Sequence, residues 1–469
     1  MALAISMTTV IIGAGVGGLA AAIALAAKGE AVTMLEAQPG AGGKMLPVQM
    51  FGQQFDSGPT VLTMRWVFEE LFALAGESFD LKMRPLDILA RHYWTGEQTV
   101  DLFANSAATV DAIGRFAGRN EADGYKAFAA DSKRIHQTLL QPFLKSQRPT
   151  PWGLAAAMPL RELFGINPFE TYWHALSRYF RDKRLQQLFG RYATYCGSSP
   201  FKAPATLMLV ADVEASGVWR VEGGMRTLAA ALETRARKSG ATFHFNCAAS
   251  HIETAGSRVS AVIDAQGVRH VCNSVVVNAD SGALSGLLKL APHKPTHSQS
   301  LSAITWCAET EERGVTLEHH SVFFSDDCKK EFVELDKGPA DDPTVYVCDQ
   351  GEGRKLILIN APANEQTPSA DLDAIMLRRL EKCGLDLKLK NVFRRTPQDF
   401  AKLYPATNGA LYGRASHGWL STFQRPQARC NIPGLYLAGG STHPGPGVSM
   451  AALAGMRAAE AIWQDRALM

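Results

Sequence analysis

Short apolar runs and glycine-rich turns alternate at the start of the chain. Thr9–Ile12 is a β-branched run that ends at a glycine cluster, and Leu19–Ala27 is a helix-forming stretch closed by Lys28 and Gly29. Ala31–Leu35 then has the composition of a second strand. A strand, a tight turn, a helix and a strand within about 30 residues predict a βαβ unit of the doubly wound kind.

A second unit of this kind lies near the other end of the chain. Gly434–Ala438 predicts a strand, and after a glycine-rich turn Ser449–Trp463 predicts a helix. Another helix is predicted at Met225–Gly240, which ends in a basic last turn and a glycine. Strand-like runs follow that helix at Thr242–Phe245, Val259–Ile263 and Val275–Val277. Both ends of the chain are therefore expected to build one domain.

Two other regions are richer in aromatic residues and in longer helical patterns, as at Phe169–Leu188 and Leu372–Leu380. We interpret them as a second domain that is inserted twice into the first. The expected fold class is α/β: a doubly wound Rossmann-type dinucleotide-binding domain with a twice-inserted α+β domain. The expected boundaries are 7–75, 218–281 and 401–469 for the first domain, and 76–217 and 282–400 for the second.

The composition excludes several other classes of protein. The 469 residues are 46% hydrophobic and 20% charged, which excludes a disordered or collagen-like chain. Lys and Arg number 48 against 45 Asp and Glu, a net charge of +3 that is too small to indicate a nucleic-acid partner. The eight cysteines are at least 20 residues apart, so no C-x-x-C metal or redox pair is expected. This spacing indicates a reduced, intracellular protein. Ile11–Ala27 is apolar, but its glycines argue against a membrane helix or a signal sequence.

The first turn carries the G-x-G-x-x-G pattern of a dinucleotide site. Gly13 makes the turn, Gly15 lets a pyrophosphate approach the backbone at a helix N-terminus, and Gly18 completes the pattern. Glu36 lies 23 residues after Gly13 at the end of the next strand, where a carboxylate accepts hydrogen bonds from a ribose 2′-hydroxyl. Because a carboxylate disfavours a 2′-phosphate there, FAD or NAD is expected rather than NADP. The alternative is a glycine turn without a ligand.

A second glycine pair favours FAD. Gly42, Gly43 and Lys44 follow Glu36 in the spacing E-x-x-x-x-x-G-G-[RK], which resembles the pattern of two-domain flavin oxidoreductases of the amine oxidase type. This turn is expected to fold over the pyrophosphate or the flavin, and a surface loop with a solvated lysine is the alternative. The late glycine turn precedes a helix whose N-terminus would stabilise negative charge on a reduced flavin. The other residues expected at the cofactor are Gly58, Pro59, Thr60, Val61, Asp280, Gly440, Gly447, Val448 and Met450.

Longer segments carry a more specific resemblance. Together they resemble the bacterial phytoene-desaturase family of carotenoid dehydrogenases over nearly the whole chain. They are Gly58–Met64, Tyr195–Pro200, Ala203–Ala205, Glu222–Met225, Val277–Asp280, His319-His320 with Phe323–Asp327, Asn360–Ala363 and Gly439–Gly445. Thr63–Phe68 is similar to the branch that acts on hydroxylated or methoxylated neurosporene, the 1-hydroxycarotenoid 3,4-desaturases. Pro446 departs from the family's Pro-Gly-Ala-Gly turn and stiffens the loop without removing its glycines.

The resemblance implies an FAD-dependent enzyme that removes a hydride and a proton from an acyclic carotenoid, at the 3,4 bond of a 1-hydroxy or 1-methoxy end. The polyene delocalises the positive charge, so the protein needs to align the substrate and exclude water rather than supply a strong base. The resemblance also implies quinone or oxygen as electron acceptor and a peripheral position on the cytoplasmic face of a membrane. Three alternatives stay open: a phytoene or neurosporene desaturase, a redox-neutral FAD carotenoid isomerase, and a non-enzymatic lipid escort on the same fold.

No catalytic residue is assigned from the sequence. Arg65 and Trp66 are candidates for recognising a polar substrate end, because they lie beside the predicted flavin turn; a structural ion pair is the alternative. His320 and its neighbour His319 are candidates for a proton shuttle. A strand-end histidine pair bonded to the backbone is the favoured interpretation of these two residues.

Two aromatic patterns have competing interpretations. Aromatic residues at helical spacing between Phe169 and Phe180 indicate either core packing or the wall of a polyene tunnel. The segment Pro142–Phe164 combines Trp152, Leu154 and other apolar residues with Lys and Arg. This mixture suits an interfacial helix at a membrane, and a solvent-facing amphipathic helix is the alternative.

Overall fold

The computed structural model describes residues 8–159, 161, 165–291, 298–364 and 371–468. The strands, in chain order, are β1 Thr8–Ile12, β2 Ala31–Leu35, β3 Val48–Met50, β4 Gln53–Phe55, β5 Met83–Pro85, β6 Ile88–Trp94, β7 Gln98–Phe103, β8 Trp219–Val221, β9 Thr242–His244, β10 Ala249–Ala255, β11 Arg258–Asp264, β12 Arg269–Val271, β13 Ser274–Val277, β14 Ser302–Gly314, β15 His320–Phe323, β16 Val345–Gly351, β17 Arg354–Ala361, β18 Leu385–Arg395 and β19 Leu435–Leu437. The α-helices are α1 Val16–Ala26, α2 Trp66–Leu74, α3 Ser106–Ala117, α4 Arg119–Leu139, α5 Pro151–Ala157, α6 Tyr172–Tyr179, α7 Lys183–Gly190, α8 Leu209–Ala215, α9 Met225–Lys238, α10 Ala283–Leu287, α11 Cys328–Glu334, α12 Leu372–Lys382, α13 Pro397–Leu403 and α14 Val448–Ala467.

Five parallel strands form one sheet, in the order β19-β13-β1-β2-β9. β1 lies at its centre, where Ile11 pairs with Val276 on one side and with Met34 on the other. All four residues of β13 are buried, which is typical of a strand covered on both faces of its sheet. Because parallel strands point the same way, the turns that follow β1, β2, β13 and β19 lie at one edge of the sheet.

The first helix, α1, lies in the interior of the molecule. All 11 of its residues are buried, and it packs against the sheet, α9 and α14. A helix that is apolar on every side is typical of such an enclosed position. This packing explains why Leu19–Ala27 looks like a membrane segment in the sequence.

A second sheet has seven strands in the order β18-β14-β17-β16-β15-β6-β7. Its pairs are antiparallel, except that β15 runs parallel to β6. Trp306 on β14 and Phe323 on β15 are completely buried in the core of this sheet. Smaller sheets are formed by β10-β11-β12, by β3-β4 and by β5-β8.

The helical pattern over Phe169–Leu188 is divided into two helices, α6 and α7. α6 ends at Tyr179, and Asp182 caps α7 by accepting a hydrogen bond from the Arg184 backbone N–H over 2.8 Å. The Asp182 carboxylate also pairs with the Arg184 guanidinium. An aspartate that binds the free N–H groups of a first turn starts a new helix, which is why the single predicted helix is wrong.

The interfacial helix predicted over Pro142–Phe164 is likewise not one helix. A π-helical turn spans Leu140–Leu144, and the seven-residue α5 follows it. Thr150 caps α5 by accepting a hydrogen bond from the Gly153 N–H over 2.9 Å. Leu154, expected on the membrane face, is buried, whereas Trp152 is 85% exposed. Positions 160 and 162–164 lie outside the described residues.

The aromatic residues around α6 and α7 favour core packing over a tunnel. Tyr172 and Phe180 are completely buried. Phe180 stacks on Phe189 with ring centroids 4.8 Å apart, and Phe128 lies 4.7 Å from the same ring. The cavity beside this cluster has a volume of about 30 Å³, which is room for a water molecule rather than a polyene. Phe169, by contrast, is 67% exposed.

None of the helices among the described residues is both long enough and apolar enough to cross a bilayer.

Candidate cofactor and substrate site

The first glycine turn leads from β1 directly into α1. Gly13 has a φ of +95° and donates its N–H to the Leu35 carbonyl oxygen over 2.8 Å. A Cβ on Gly18 would lie 2.1 Å from the Gly13 carbonyl oxygen, so the turn and the helix can approach only without side chains. Gly15 precedes α1, and no side chain caps that helix. Its first N–H groups are therefore available to a phosphate.

Glu36 lies at the end of β2 beside this turn and is 7% exposed. Its Oε2 accepts a hydrogen bond from the Ala14 N–H over 2.6 Å, and its Oε1 accepts one from the Gln38 N–H over 2.8 Å. These two bonds fix the orientation of the carboxylate. Each oxygen keeps a second acceptor position for a ribose hydroxyl.

The second glycine pair folds directly over the first turn. The Gly42 N–H donates to the Ala14 carbonyl oxygen over 2.8 Å, and Gly42 forms a β-bridge with Gly15. A Cβ on Gly43 would lie 3.1 Å from the Cα of Gly15. The structure therefore brings the two glycine motifs of the sequence to the same place.

Lys44 connects this turn to the late segments of the chain. Its ammonium group donates a hydrogen bond to the Leu411 carbonyl oxygen and lies 5.3 Å from the centre of the Tyr404 ring. Desolvation lowers the pKa of Lys44, and attraction to Asp280 opposes that shift. Asp280 in turn accepts a hydrogen bond from the Gly282 N–H over 2.9 Å.

The last glycine turn lies at the same edge of the parallel sheet. The Ala438 N–H donates to the Val277 carbonyl oxygen over 3.0 Å, which joins the turn after β19 to β13. Gly447, with a φ of +115°, precedes α14, and no side chain caps that helix. The uncapped start of α14 contains Val448 and Met450, and Gly440 lies in the turn before it.

The turn at Gly58–Val61 lies against Lys44 and α14. A Cβ on Gly58 would lie 1.8 Å from the Lys44 carbonyl oxygen, so no other residue fits there. The Ser449 hydroxyl of α14 donates to the Thr63 carbonyl oxygen over 2.6 Å. All predicted cofactor residues therefore lie in one connected group of turns at the carboxyl edge of the parallel sheet.

Asn278 is part of this group and was not predicted. Its Nδ2 donates to the Gly13 carbonyl oxygen over 3.1 Å. Added Cβ atoms on Gly17 and Gly439 would lie 2.6 and 2.8 Å from its Oδ1. The sequence contained one signal, a polar residue directly after the buried strand β13, which could have identified it.

A cavity of about 400 Å³ opens beside Thr60. Its wall includes His319 and Cys348 from the seven-stranded sheet. Gln350 joins that sheet to the predicted flavin turn, because its Nε2 donates to the Asp56 carbonyl oxygen over 2.8 Å and its Oε1 accepts from the Asp56 N–H over 3.1 Å. The cavity therefore lies between the seven-stranded sheet, the β5-β8 pair and the turn that carries Thr60.

A chain of hydroxyl and imidazole groups forms part of the wall behind this cavity. The Thr60 hydroxyl and the Tyr346 hydroxyl share a hydrogen bond of 2.7 Å, and Tyr346 shares a second one of 2.7 Å with His320 Nδ1. Desolvation lowers the pKa of His320 well below its usual range, so this imidazole is neutral. Tyr346 was not predicted, and no sequence pattern distinguishes it from other tyrosines in strands.

The other two candidates for a substrate end make structural contacts. Arg65 forms an ion pair with Glu69 one helical turn later, over 2.8 Å. Trp66 lies beneath the Lys145 ammonium, 4.4 Å from the ring centre. Neither residue lines the 400 Å³ cavity.

A parallel sheet with uncapped helices, three glycine turns and a carboxylate at one edge is typical of a dinucleotide-binding oxidoreductase, here with a second, mostly antiparallel sheet. The family model of the flavin containing amine oxidoreductases matches residues 16–463, and the chain belongs to that family. FAD is therefore its cofactor, and the side-chain-free cradle described above fits it.

Two curated relatives are similar over nearly their whole length. A hydroxyneurosporene desaturase of Rubrivivax gelatinosus is 42% identical, with 97% of this chain and 92% of the relative covered. A hydroxyneurosporene desaturase of Cereibacter sphaeroides is 38% identical, with 98% of each covered. Among solved structures, an oxidoreductase from Methanosarcina mazei matches with a TM-score of 0.63 at 16% identity, covering 97% of this chain and 100% of that one. That structural likeness shows the fold alone.

Proposed function

We propose that this chain is an FAD-dependent desaturase of an acyclic carotenoid, acting on the 3,4 bond of a 1-hydroxy or 1-methoxy end in carotenoid biosynthesis. The observation that carries the proposal is the complete cofactor cradle, in which Gly13, Gly43, Gly58 and Glu36 are held by the contacts described above. The near-full-length similarity to two hydroxyneurosporene desaturases supports the substrate class.

The residues of the cradle bind and orient the cofactor. The free N–H groups at the start of α1 would hold the pyrophosphate, and Glu36 would hold the adenosine ribose. The start of α14 would face the ring system with its positive dipole end. When bound, FAD accepts two electrons as a hydride from a carbon atom beside a double bond.

The rest of the chain has to position the polyene and keep water out. Cys307, Cys348 and Leu356 of the seven-stranded sheet are buried around Phe55, so apolar groups lie beneath the turn that carries Thr60. A proton leaves the carbon next to the hydride donor. The delocalised charge makes that proton acidic, so a weak base suffices to accept it.

The sequence segments divide this work between two domains in our proposal. Segments 7–75, 218–281 and 401–469 bind FAD, and segments 76–217 and 282–400 form the substrate and membrane-facing domain. All strands of the parallel sheet lie in the first group, and all strands of the seven-stranded sheet lie in the second. The antiparallel pair of β5 with β8 joins the two groups.

We propose that the enzyme takes its substrate from a membrane surface, on the cytoplasmic face, and passes electrons to quinone or oxygen. Trp152 and Phe169 are exposed by 85% and 67%, and Trp419 and Leu420 are each 39% exposed. The Phe169 and Trp419 rings lie 5.1 Å apart. We call Trp152, Phe169, Trp419 and Leu420 the aromatic surface; aromatic side chains of this kind suit the interface of a bilayer.

An anaerobic single-turnover experiment tests the proposed reaction. Oxidised holoenzyme is mixed with 1-hydroxy-, 1-methoxy- and unsubstituted acyclic carotenoids in liposomes, and the spectra of flavin and polyene are followed together. Desaturation predicts loss of the oxidised-flavin absorbance and a red shift of the polyene. FAD-free protein with the same carotenoids is the control.

Three other outcomes would contradict the proposal. An isomerised polyene with unchanged flavin absorbance indicates a redox-neutral isomerase. Tight carotenoid binding without any spectral change indicates a lipid escort. Reaction with only the unsubstituted substrate indicates a phytoene or neurosporene desaturase.

A further inference from the structure

We infer that His319 accepts a hydrogen bond from the tertiary hydroxyl of a 1-hydroxycarotenoid and thereby selects it over a 1-methoxy end. This inference rests on the proposed function and assigns the choice between two substrate ends to one side chain. A hydroxyl group donates a hydrogen bond, whereas a methoxy group only accepts one. The structure contains an acceptor that makes this distinction.

The tautomer of His319 follows from its partner. Its Nδ1 lies 2.7 Å from the Asp349 carbonyl oxygen, and the Asp349 N–H donates back to the His319 carbonyl oxygen over 3.0 Å. A carbonyl oxygen only accepts hydrogen bonds, so Nδ1 carries the hydrogen and Nε2 of the neutral ring carries a lone pair. Within the described part of the chain, no hydrogen bond to this Nε2 is found.

The charge state of His319 agrees with this role. Burial lowers the pKa of the His319 imidazole; its bond to the Asp349 carbonyl opposes the shift, and the Arg220 charge reinforces it. The ring is therefore neutral near pH 7. At this pH the His319 ring can accept a hydrogen bond without first losing a proton.

His319 lines the 400 Å³ cavity together with Thr60 and Cys348. Its ring lies 4.4 Å from the ring of His320, which is bonded through Tyr346 to Thr60. This hydrogen-bonded chain holds the wall behind His319 in one arrangement. His320 and Tyr346 are therefore positioning residues in this inference.

The charged groups of the cavity already have partners: Arg84 pairs with Glu222 and Arg354 with Glu352, and the others bond to the backbone. Three arginines and three carboxylates line it, so their charges balance: Arg84, Arg220, Arg354, Asp56, Glu222 and Glu352. Arg220 donates to the Gln350 carbonyl oxygen over 3.2 Å, and Arg354 donates to the Gln54 carbonyl oxygen over 2.9 Å. Such a cavity attracts neither an anion nor a cation and suits a neutral polar group.

Asp56 does not compete for the hydroxyl. Its Oδ2 accepts a hydrogen bond from the Met225 N–H over 2.9 Å. Its Oδ1 has no partner within the described chain but is shut off from solvent. His319 Nε2 is therefore a neutral acceptor for an incoming hydroxyl, beside the Glu222 and Glu352 carboxylates, which are paired with arginines.

The test compares 1-hydroxy and 1-methoxy carotenoids of equal polyene length. The wild-type holoenzyme should show a kcat/KM ratio of about tenfold to a hundredfold in favour of the hydroxyl, the usual effect of one hydrogen bond to a partner that is otherwise left unpaired. His319→Phe should bring this ratio close to one, and His319→Gln should restore part of it. His244→Phe, at an exposed strand end outside the cavity, is the matched control.

A binding measurement separates this inference from the proposed reaction. The Kd values of both carotenoids are determined by perturbation of the flavin spectrum without turnover. The inference is supported if the wild type binds the 1-hydroxy carotenoid with a lower Kd than the 1-methoxy carotenoid and His319→Phe removes this difference. This result supports it even if no desaturation occurs. Equal Kd and kcat/KM values for the two ends in the wild type, or an unchanged preference in His319→Phe with full FAD content, would overturn it.

Metal analysis of the purified holoenzyme closes the remaining alternative. One ring nitrogen of each of His319 and His320 and the Sγ of Cys348 lie within 4.8 Å of one another, a spacing that also suits a metal ion. Stoichiometric metal that is lost in His319→Phe would overturn the assignment to a hydroxyl. Metal-free protein with the hydroxyl preference intact supports it.

Discussion

Glycine at a few positions decides whether the cofactor cradle can exist. Gly58 and Gly18 approach backbone carbonyl oxygens so closely that a Cβ would lie 1.8 and 2.1 Å from them. Gly13 adopts a φ of +95°, which side chains disfavour. Each of these residues has a backbone reason to be glycine that is independent of the cofactor, and the resulting bare surface is what a pyrophosphate needs.

Glu36 is the residue whose substitution should affect FAD binding most directly. We expect Glu36→Ala to weaken FAD binding by about 1–3 kcal/mol, because charge-assisted hydrogen bonds to the ribose are lost. The measurement is the FAD dissociation constant, read from the flavin absorbance after dialysis. Glu253→Ala, which removes a surface partner of Arg269, is the control.

Glu36→Ala also leaves the Ala14 and Gln38 N–H groups without their acceptor. Glu36→Gln keeps an acceptor in place and should therefore retain more of the stability than of the FAD affinity. A Glu36→Ala protein with the full flavin colour after dialysis would contradict this placement of the ribose.

At the scale of elements, two helices from opposite ends of the chain are in close backbone contact beside the site. A Cβ on Gly455 of α14 would lie 2.0 Å from the carbonyl oxygen of Gly17 in α1. Gly17 in turn has room for no side chain between Asn278 and Gly439. This contact places the start of both uncapped helices at the same edge of the parallel sheet.

Gly455→Ala should therefore destabilise the protein although alanine favours helices. Overpacking of this kind costs about 1–3 kcal/mol or more, against a gain of about 1 kcal/mol in helix propensity. Gly286→Ala, where an added Cβ would meet nothing within 4 Å, is the control and should be neutral or stabilising. Thermal unfolding of both holoproteins measures the difference, and equal Tm values would refute the close contact.

At the scale of the whole molecule, the aromatic surface combines Trp152 of α5 and Phe169, which precedes α6, with a late loop that carries Trp419 and Leu420. The loop is attached to the segment before α5, because the Phe143 and Phe423 rings lie 5.6 Å apart. Two sequence regions far apart in the chain therefore contribute to one proposed membrane contact.

Trp152→Glu combined with Phe169→Glu should release the protein from vesicles of phosphatidylcholine and phosphatidylglycerol. Two exposed aromatic side chains that enter the interface contribute about 2–4 kcal/mol to such binding. Co-sedimentation is the measurement. Leu154 is left unchanged because it is buried, and a charge there would disrupt the core.

The matched control is Val271→Glu, at a 63% exposed position on β12, far from α5 in the sequence. It should leave the partition unchanged. Unchanged partition of the double variant with full FAD content would contradict the aromatic surface as the membrane contact.

The sequence by itself determined the parts that depend on neighbouring residues. β1, α1, β2, α9 and α14 follow from short apolar runs, caps and glycines, and the cofactor class follows from the spacing of Gly13, Glu36 and Gly43. Local backbone geometry fixes such features because a turn needs its glycine whatever lies elsewhere in the chain. The single helices predicted at Phe169–Leu188 and Pro142–Phe164 failed where a cap such as Asp182 started a new helix within an amphipathic pattern.

Only the tertiary structure decided which polar side chains meet at and behind the 400 Å³ cavity. Thr60, His319 and Tyr346 come from three separate segments, and strand pairing in the second sheet brings them together. The sequence offered Arg65 and Trp66 for a polar substrate end and His320 for a proton shuttle, and the ion pair of Arg65, the burial of His320 and the tautomer of His319 separated their roles. The Arg65 ion pair is local, within one helical turn. The bonds of His319 and His320 instead depend on strand pairing with a later segment, and the Thr60–Tyr346 bond joins residues 286 positions apart, which no local pattern records.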